Sequence, residues 1–367
     1  MSKYDVIIVG ARVAGATIAT LLGEQGYRVL VLDRARFPSD TLSTHFFRSP
    51  TFKVLQRLGV FDKVLRQAPR LVNNYNDVDG HVFTEPVTDT DGPSYYLCVR
   101  RITMDAILFR RMQQVDAVTI RQGCIVTDLL SDNGKISGVR WKEGGSGAEA
   151  YARLVVGADG VRSTVASSVK PELEHFEPVR RAMYYGYFEA LATTHGPAAE
   201  FHYRGNRLVY VFPTDGNLTL IASSIPIEEF ETYKKNLPKS FFSEVESMST
   251  LQPRFAHATR VGPLLGSARI PGYRKVPYGD GWALAGDSEQ VMDPWSGQGI
   301  DQASTHASLL ADALIAWLSG TSPWETAMAD YHRRRNEFSI KTYERTCSFA
   351  RDLRLLTIPA LKKRGLV

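Results

Sequence analysis

The chain has 367 residues, more than one hydrophobic core usually serves, and 44% hydrophobic with 23% charged residues is the composition of a globular protein rather than a disordered one. Three cysteines (Cys98, Cys124, Cys347) with no C-x-x-C and no histidine-rich spacing suggest neither a disulfide framework nor a zinc site, so a reducing, cytoplasmic location is expected. The net charge of +5 is uneven: from Tyr331 to Val367 ten basic residues face three acids, leaving +7 there and −2 elsewhere.

The first stretch, Tyr4 to Asp33, reads as a strand, a tight glycine turn, a helix and a second strand. Tyr4–Val9 is an apolar run of strand length, Gly10-Ala-Arg-Val-Ala-Gly15 is the turn, Ala16 to Leu22 is helical, and Tyr27 to Leu32 is a buried strand ending at Asp33. This is the layout that grips a dinucleotide. Gly10 permits the sharp turn and Gly15 close packing of helix on sheet. The helix start, with Val13 and Ala14, offers free N–H groups and a positive dipole end to a pyrophosphate, and Asp33 can accept from a ribose diol. Arg12 stands where a glycine is usual. Either its side chain swings clear of the phosphates, or its guanidinium contacts them as a fork.

Beyond Asp33 and Arg34 lies a polar loop to His45. Loops leaving the carboxyl ends of parallel strands line the ligand crevice, so Thr44, His45 and Arg48 are candidate wall residues. Pro50 opens a helix that stops at Gly59, and a strand pair around Leu71 to Val87 turns at Asp79-Gly80. Val99 to Met112 reads as a helix with Thr103 as its N-cap. Strands are expected over Ile120–Leu130, Ile136–Lys142 and Ala148–Val156, the last running into Gly157-Ala-Asp159-Gly160, which points a second carboxylate at the edge where Gly10 lies.

From Arg181 the texture changes to short aromatic strands, Met183–Ala190, Ala199–Tyr203, Arg207–Phe212 and Asn217–Ile225, the pattern of an antiparallel sheet. Tyr185 and Tyr187 share one face by the period-2 rule, as do Val209 and Val211 opposite Tyr210 and Phe212. Such a sheet suits an apolar or aromatic ligand. Glu228 to Met248 is helical, broken at Pro238. A third segment repeats the theme: Gly281 to Gly286-Asp287, then Asp293-Pro294-Trp-Ser-Gly297-Gln298-Gly299-Ile300, then a helix to Leu318. Its apolar end, Leu309–Leu318, is too short and carries Asp312, so no transmembrane segment is expected; the first strand at Tyr4 leaves no room for a signal peptide. The tail reads as two further helices. Its charge is first a solvated helical surface, and otherwise fits an acidic partner or an anionic membrane. Nucleic acid is not indicated, because no aromatic interleaving or groove-reading motif accompanies it.

Three such segments in this order resemble the FAD-dependent aromatic hydroxylases, a class that includes flavin-dependent halogenases and geranylgeranyl reductases; the resemblance runs from about Tyr4 to Asp330. It implies an α/β fold with a Rossmann-like FAD-binding domain (1–180 plus 258–322), an inserted antiparallel-sheet substrate domain (181–257, joined by strands from 70–100) and C-terminal helices (323–367). It also implies roles. The Gly10 turn and Asp33 hold the ADP half, Arg101 of Arg101-Ile-Thr-Met-Asp105 lies along the cofactor, and the strand near Val126 touches the adenine side. Asp159 and Gly160 serve the cofactor and the passage of NAD(P)H, Asp287 binds the ribityl chain, and Pro294–Ile300 lies against the flavin ring. Ser288-Glu-Gln290 and Ala166 depart from the pattern where a pyridine nucleotide would dock. With no second nucleotide fingerprint, NAD(P)H visits transiently or a separate flavin reductase supplies electrons.

The expected activity is hydroxylation or epoxidation of an apolar or aromatic small molecule through a flavin peroxide, with His45, Arg48 and Tyr187 on the substrate side. Halogenation is disfavoured because no W-x-W-x-I-P stretch occurs. A double-bond reductase is the alternative, since Tyr210-Val-Phe-Pro213 resembles a Y-x-F-P piece of geranylgeranyl reductases. A non-catalytic flavin-binding partner protein is the third reading.

Overall fold

The computed structural model describes residues 4–90, 92–192 and 195–367. Two sheets carry the molecule. In the first, five parallel strands run in the order Val118–Gln122, Val29–Asp33, Tyr4–Val9, Ser146–Gly157 and Trp282–Leu284, with Tyr278–Gly279 antiparallel at the edge. Their near-continuous Val, Ile and Leu runs are what a sheet covered on both faces requires. Val6 and Ile8 face one core, shared with the helices Val13–Glu24, Arg101–Gln113 and Gly299–Leu318; Ile7 and Val9 face a second core with Val139 and Trp141. That second face is covered by an antiparallel meander. Ser146–Gly157 pairs first with Lys135–Glu143, then continues as the parallel neighbour of Tyr4–Val9.

The second sheet has seven strands, and its faces separate as the alternation predicts. Tyr185, Tyr187, Tyr210 and Phe212 belong to one buried cluster, whereas Phe188, Val209, Val211 and Ile221 pack on the other side beneath the helix Leu237–Ser247. The hairpin Asn73–Val78 and His81–Pro86 forms one edge, joined through a parallel pairing of Ala198 with Asn73.

Four sequence expectations need correction. Thr259–Ser267 pairs with Arg181–Glu189, so this strand lies in the second sheet rather than with the dinucleotide unit after residue 258. The expected strand Ile120–Leu130 is two strands, because Gly123 at φ +74 turns the chain from the parallel sheet into the meander. The break expected at Pro238 falls two residues earlier, at Asn236 with φ −141 and ψ 67, and Pro238 belongs to the helix that restarts there. It sits in the first turn of Leu237–Ser247, where a missing N–H costs nothing. Thr103 is no N-cap either, since the helix starts at Arg101, and its hydroxyl donates instead to Asp215 at 2.6 Å. The two tail helices are Trp324–Arg351 and Arg354–Lys363. Among the described residues no helix is long and apolar enough to cross a membrane.

Candidate functional site

The Gly10 turn and the turns bearing Asp159 and Asp287 leave the carboxyl ends of three adjacent strands, with Asp33 at the tip of the next, and the backbone stitches the three turns together. The Ala158 N–H donates to Val9 O at 2.8 Å, and the Ala285 N–H to Gly157 O at 2.9 Å. The spacing leaves no room for side chains. Gly10 has φ +103, and a Cβ there would stand 2.3 Å from Ala158 O; one at Gly286 would touch Ala14 and Ala303 at 3.2 and 3.4 Å. So the first turn abuts the second, and the third lies between the starts of the first helix and the Gly299–Leu318 helix. Two helix N-termini therefore open beside one row of strand ends, the arrangement that receives anionic groups.

The acids differ in what they hold. Asp33 accepts from the N–H groups of Ala11 and Ala35, each at 2.7 Å, fixing the glycine turn against the tip of the second strand. Arg34 is exposed just beyond it. Asp159 accepts from Ser163 Oγ at 2.5 Å and the Thr164 N–H at 2.6 Å, so it braces the short helix Thr164–Val169, with Gly160 at φ +81 completing the turn. Of the three, only the Asp287 carboxylate accepts no hydrogen bond among the described residues; its main-chain oxygen accepts from Tyr273 Oη at 2.5 Å. Burial raises its pKa to about 6, opposed by the charge of Arg101. A carboxylate held at the crevice with nothing to accept from is a group awaiting donors, as a sugar-like hydroxyl chain would supply.

Arg12 spends its guanidinium on protein. It donates to Asp105 at 2.6 Å, to Ser39 O and Oγ at 3.2 and 3.1 Å, and to Asp40 O at 2.9 Å. Arg101 forks onto the same Asp105 carboxylate at 2.9 and 3.0 Å. Asp105, wholly buried, thus ties the glycine turn to the helix that carries Arg101. Val126 is buried and lies in register with Trp141, beside Leu30 and Leu32 of the parallel sheet.

The loop Pro294–Ile300 forms the other end of the crevice. Asp293 accepts from the Trp295 N–H at 3.0 Å, Pro294–Ser296 is a single tight turn, Gly297 has φ +62, and Gln298 precedes the helix that begins Gly299-Ile300 without a side-chain capping bond. Burial lifts Asp293 to about 7, offset by its own backbone bond and by Arg181. Arg48 braces this loop rather than standing free. It donates to Ser296 O at 3.1 Å and Asp301 Oδ2 at 3.3 Å, while Asp301 also accepts from Thr51 at 2.6 Å.

His45 and Tyr187, 142 positions apart, meet: His45 Nε2 lies 2.7 Å from Tyr187 Oη. His45 is fully buried at φ 60, a conformation a non-glycine residue holds only when its surroundings fix it. Its Nδ1 accepts from the Arg101 N–H at 3.3 Å, so Nε2 carries the proton and donates to Tyr187, leaving the tyrosine O–H to donate onward. Burial, then the Arg101 charge, lowers His45 to about 3, so it is neutral at physiological pH. Tyr185 packs edge-on to the imidazole with its hydroxyl buried and unpaired, and burial moves it to about 12. Arg100 lies over the Tyr187 ring at 5.7 Å and forks onto Asp215.

Asp105, Asp215 and Asp301 were not singled out by sequence, and Tyr185 was placed on the Tyr187 face without a role at the site. Asp105 stood inside the quoted Arg101 pattern, four residues on and one helical turn away, and that spacing could have marked it. Asp215 and Asp301 are paired with residues more than 100 positions away, which no local pattern signals.

Comparison with known proteins agrees with this geometry. The family described as FAD binding domain matches residues 3–346. A ubiquinone hydroxylase, UbiL of Rhodospirillum rubrum, is 26% identical over 335 residues, covering 85% of this chain and 72% of its own. A digeranylgeranylglycerophospholipid reductase of Methanothermobacter thermautotrophicus is 24% identical, covering 96% and 88%. The fold is that of the myxobacterial chondrochloren halogenase CndH, at a TM-score of 0.84 and 23% identity, covering 93% of this chain and 81% of that one. The glycine that must be a glycine, the carboxylate without a partner and the paired helix starts all suit FAD, and the match spans every one of them: the chain belongs to the FAD binding domain family and is a flavin-dependent oxidoreductase.

Proposed function

We propose that the protein is a monooxygenase that places one oxygen atom on an apolar or aromatic small molecule, using electrons from NAD(P)H. The observation that carries the reading is the contact between the glycine loop and the aromatic sheet. A Cβ at Gly297 would stand 3.3 Å from Phe46, and Phe46 stacks on Phe212 of the sheet at 4.8 Å. A flat ring held by the loop would therefore face a wall of Tyr185, Tyr187, Tyr210 and Phe212, dry and apolar apart from the tyrosine hydroxyls.

FAD, when bound, supplies electron storage and the activation of dioxygen. Asp33, the Gly10 turn and the N–H groups of Val13, Ala14 and Gly15 would hold its ADP half; Asp159, Gly160, Gly286 and Asp287 would lie along its middle; and Pro294–Ile300 would meet the ring. The Gly299–Leu318 helix start would stabilise negative charge there by its dipole. Neutral His45 keeps its proton on Nε2 and holds the Tyr187 oxygen, so the Tyr187 O–H is aimed by its neighbours and can orient a substrate oxygen. The relatives named as hydroxylases support the same reading.

A double-bond reductase is the second reading, because the Tyr210 hydroxyl donates to Trp295 O and so ties Tyr210-Val-Phe-Pro213 to the loop itself. Oxygen uptake by purified holoenzyme with NADH or NADPH and a panel of quinones, phenols and polyenes separates the two. The monooxygenase consumes oxygen in step with an oxygenated product. Saturated product formed anaerobically establishes the reductase, and product that requires halide refutes both.

A further inference from the structure

The tail touches the site through its backbone and apolar side chains, Thr346 O accepting from Trp295 Nε1 at 3.0 Å, but its cationic groups have no part in the proposed reaction. The cations of the Trp324–Arg351 helix are largely neutralised in place: Arg333 pairs with Asp330 and Glu337, Arg334 lies within reach of Asp312 and Asp330, and Arg351 forks onto Glu177. The last helix, Arg354–Lys363, differs. Leu353, just before it, with Thr357 and Leu361, is buried at four-residue steps, and Leu353 and Leu361 pack into the aromatic cluster of the second sheet. Arg364 fixes the far end, with its guanidinium 4.1 Å over Phe83 and paired with Glu85.

The opposite face is solvent-exposed and apolar at its centre. Leu355 is 54% and Ile358 44% exposed, and Pro359 is exposed beside them. At about 100° per residue, Leu355, Ile358, Pro359 and Lys362 share one arc, with Lys363 at one border and Arg354, its charge met by Asp352, at the other. Lys362 and Lys363 have no acidic partner among the described residues. An apolar strip bordered by long cationic side chains is the pattern of a helix lying in a lipid–water interface, where the lysine stems cover apolar surface and the ammonium groups reach phosphates.

We propose that the exposed face of Arg354–Lys363 docks the protein on an anionic phospholipid membrane. Charge complementarity selects that surface: the two unpaired lysines sit where an anionic leaflet attracts them, and a neutral bilayer offers no such attraction. Because the buried face of the same helix covers the aromatic cluster, docking brings lipid next to the proposed substrate wall. That consequence, delivery of a lipophilic substrate, rests on the monooxygenase reading; the docking does not.

The test is cosedimentation of FAD-loaded full-length protein with vesicles of phosphatidylcholine alone and of phosphatidylcholine with phosphatidylglycerol. Binding is scored without turnover, so its failure is separate from failure of the enzymatic reading. The expected result is binding to the anionic vesicles, weakened by salt, and about tenfold or greater loss in both Leu355→Ser/Ile358→Ser and Lys362→Glu/Lys363→Glu. Arg333→Glu/Arg334→Glu on the preceding helix retains binding. FAD content and unfolding midpoint, measured on every variant, confirm that the fold persists. No binding to anionic vesicles, or equal binding by the Leu355/Ile358 variant, overturns the proposal.

Discussion

Substituting Gly10 by alanine drives a wedge between the first two cofactor turns, and the structure sets the size of the effect. At φ +103 an alanine pays about 1–2 kcal/mol for its backbone conformation. The new Cβ also stands 2.3 Å from Ala158 O, a main-chain atom one residue before Asp159, which cannot rotate away. Such overpacking adds about 1–3 kcal/mol, giving about 2–5 kcal/mol in all. Gly26 provides the control, because it has φ +81 with no atom within 4 Å of a built Cβ, so Gly26→Ala carries the conformational cost alone. Denaturant unfolding of the two variants with and without FAD, together with FAD titration of the apoproteins, separates wedge from backbone strain. Gly10→Ala should be the less stable by about 1–3 kcal/mol and should bind FAD far more weakly. Equal stability and equal FAD affinity in the two variants would refute close apposition of the turns.

His45→Ala should alter turnover or the ratio of product to reductant consumed while FAD stays bound; an unchanged rate and ratio would remove His45 from the site. The same residue sets an acid limb. Because its pKa falls from 6.5 to about 3 on folding, the unfolded chain takes up a proton that the fold refuses between those values. Its contribution is complete above about pH 6.5 and is lost as pH falls, by up to about 1.4 kcal/mol per pH unit, so His45→Gln should flatten that limb of the unfolding curve and an identical slope would contradict the burial argument. Asp287 has the opposite sign: raised from 3.8 to about 6, its carboxyl favours folding below 3.8 and loses that advantage as pH rises through about 6. Asp287→Asn should therefore stabilise FAD-free protein at pH 7 by on the order of 1–2 kcal/mol while weakening FAD binding, and a fall in apoprotein stability would contradict this. Asp215→Ala frees Arg100 and Thr103 at the start of the Arg101–Gln113 helix and should cost about 2–3 kcal/mol by denaturant unfolding; less than about 0.5 would show that the contact is idle.

The sequence made the cofactor end of the crevice readable because each part is local: a strand, a glycine at positive φ and an acid within a few residues of one another at Asp159-Gly160 and at Gly286-Asp287, and one strand-turn-helix-strand unit joining Gly10 to Asp33. The aromatic sheet was equally readable, since period-2 alternation put Tyr185 and Tyr187 on one face and the structure keeps them there. What escaped depends on partners remote in the chain. Arg12 left two options open by sequence, and the choice among acceptors turned on Asp105, 93 residues away. Arg48, expected on the substrate side, is drawn to Ser296 and Asp301 because the loop it serves leaves carbonyl and carboxylate oxygens needing donors. Thr103 looked like a cap because Thr before an apolar run usually is one, but Asp215 from the other sheet supplies the anion at that helix start and turns the hydroxyl into a donor. The strand Thr259–Ser267 carries Gly262 and Pro263, so it reads poorly as a strand and gains its place only by pairing with Arg181–Glu189.

The crystal structure of the protein with FAD tests most directly whether three turns distant in sequence serve one extended cofactor. The account predicts density with the adenosine ribose at Asp33, the ribityl chain at Asp287, and the ring between Gly297–Ile300 and the sheet face that carries Tyr187. A flavin ring lying away from that face, or an Asp287 carboxylate left without a cofactor contact, would contradict it.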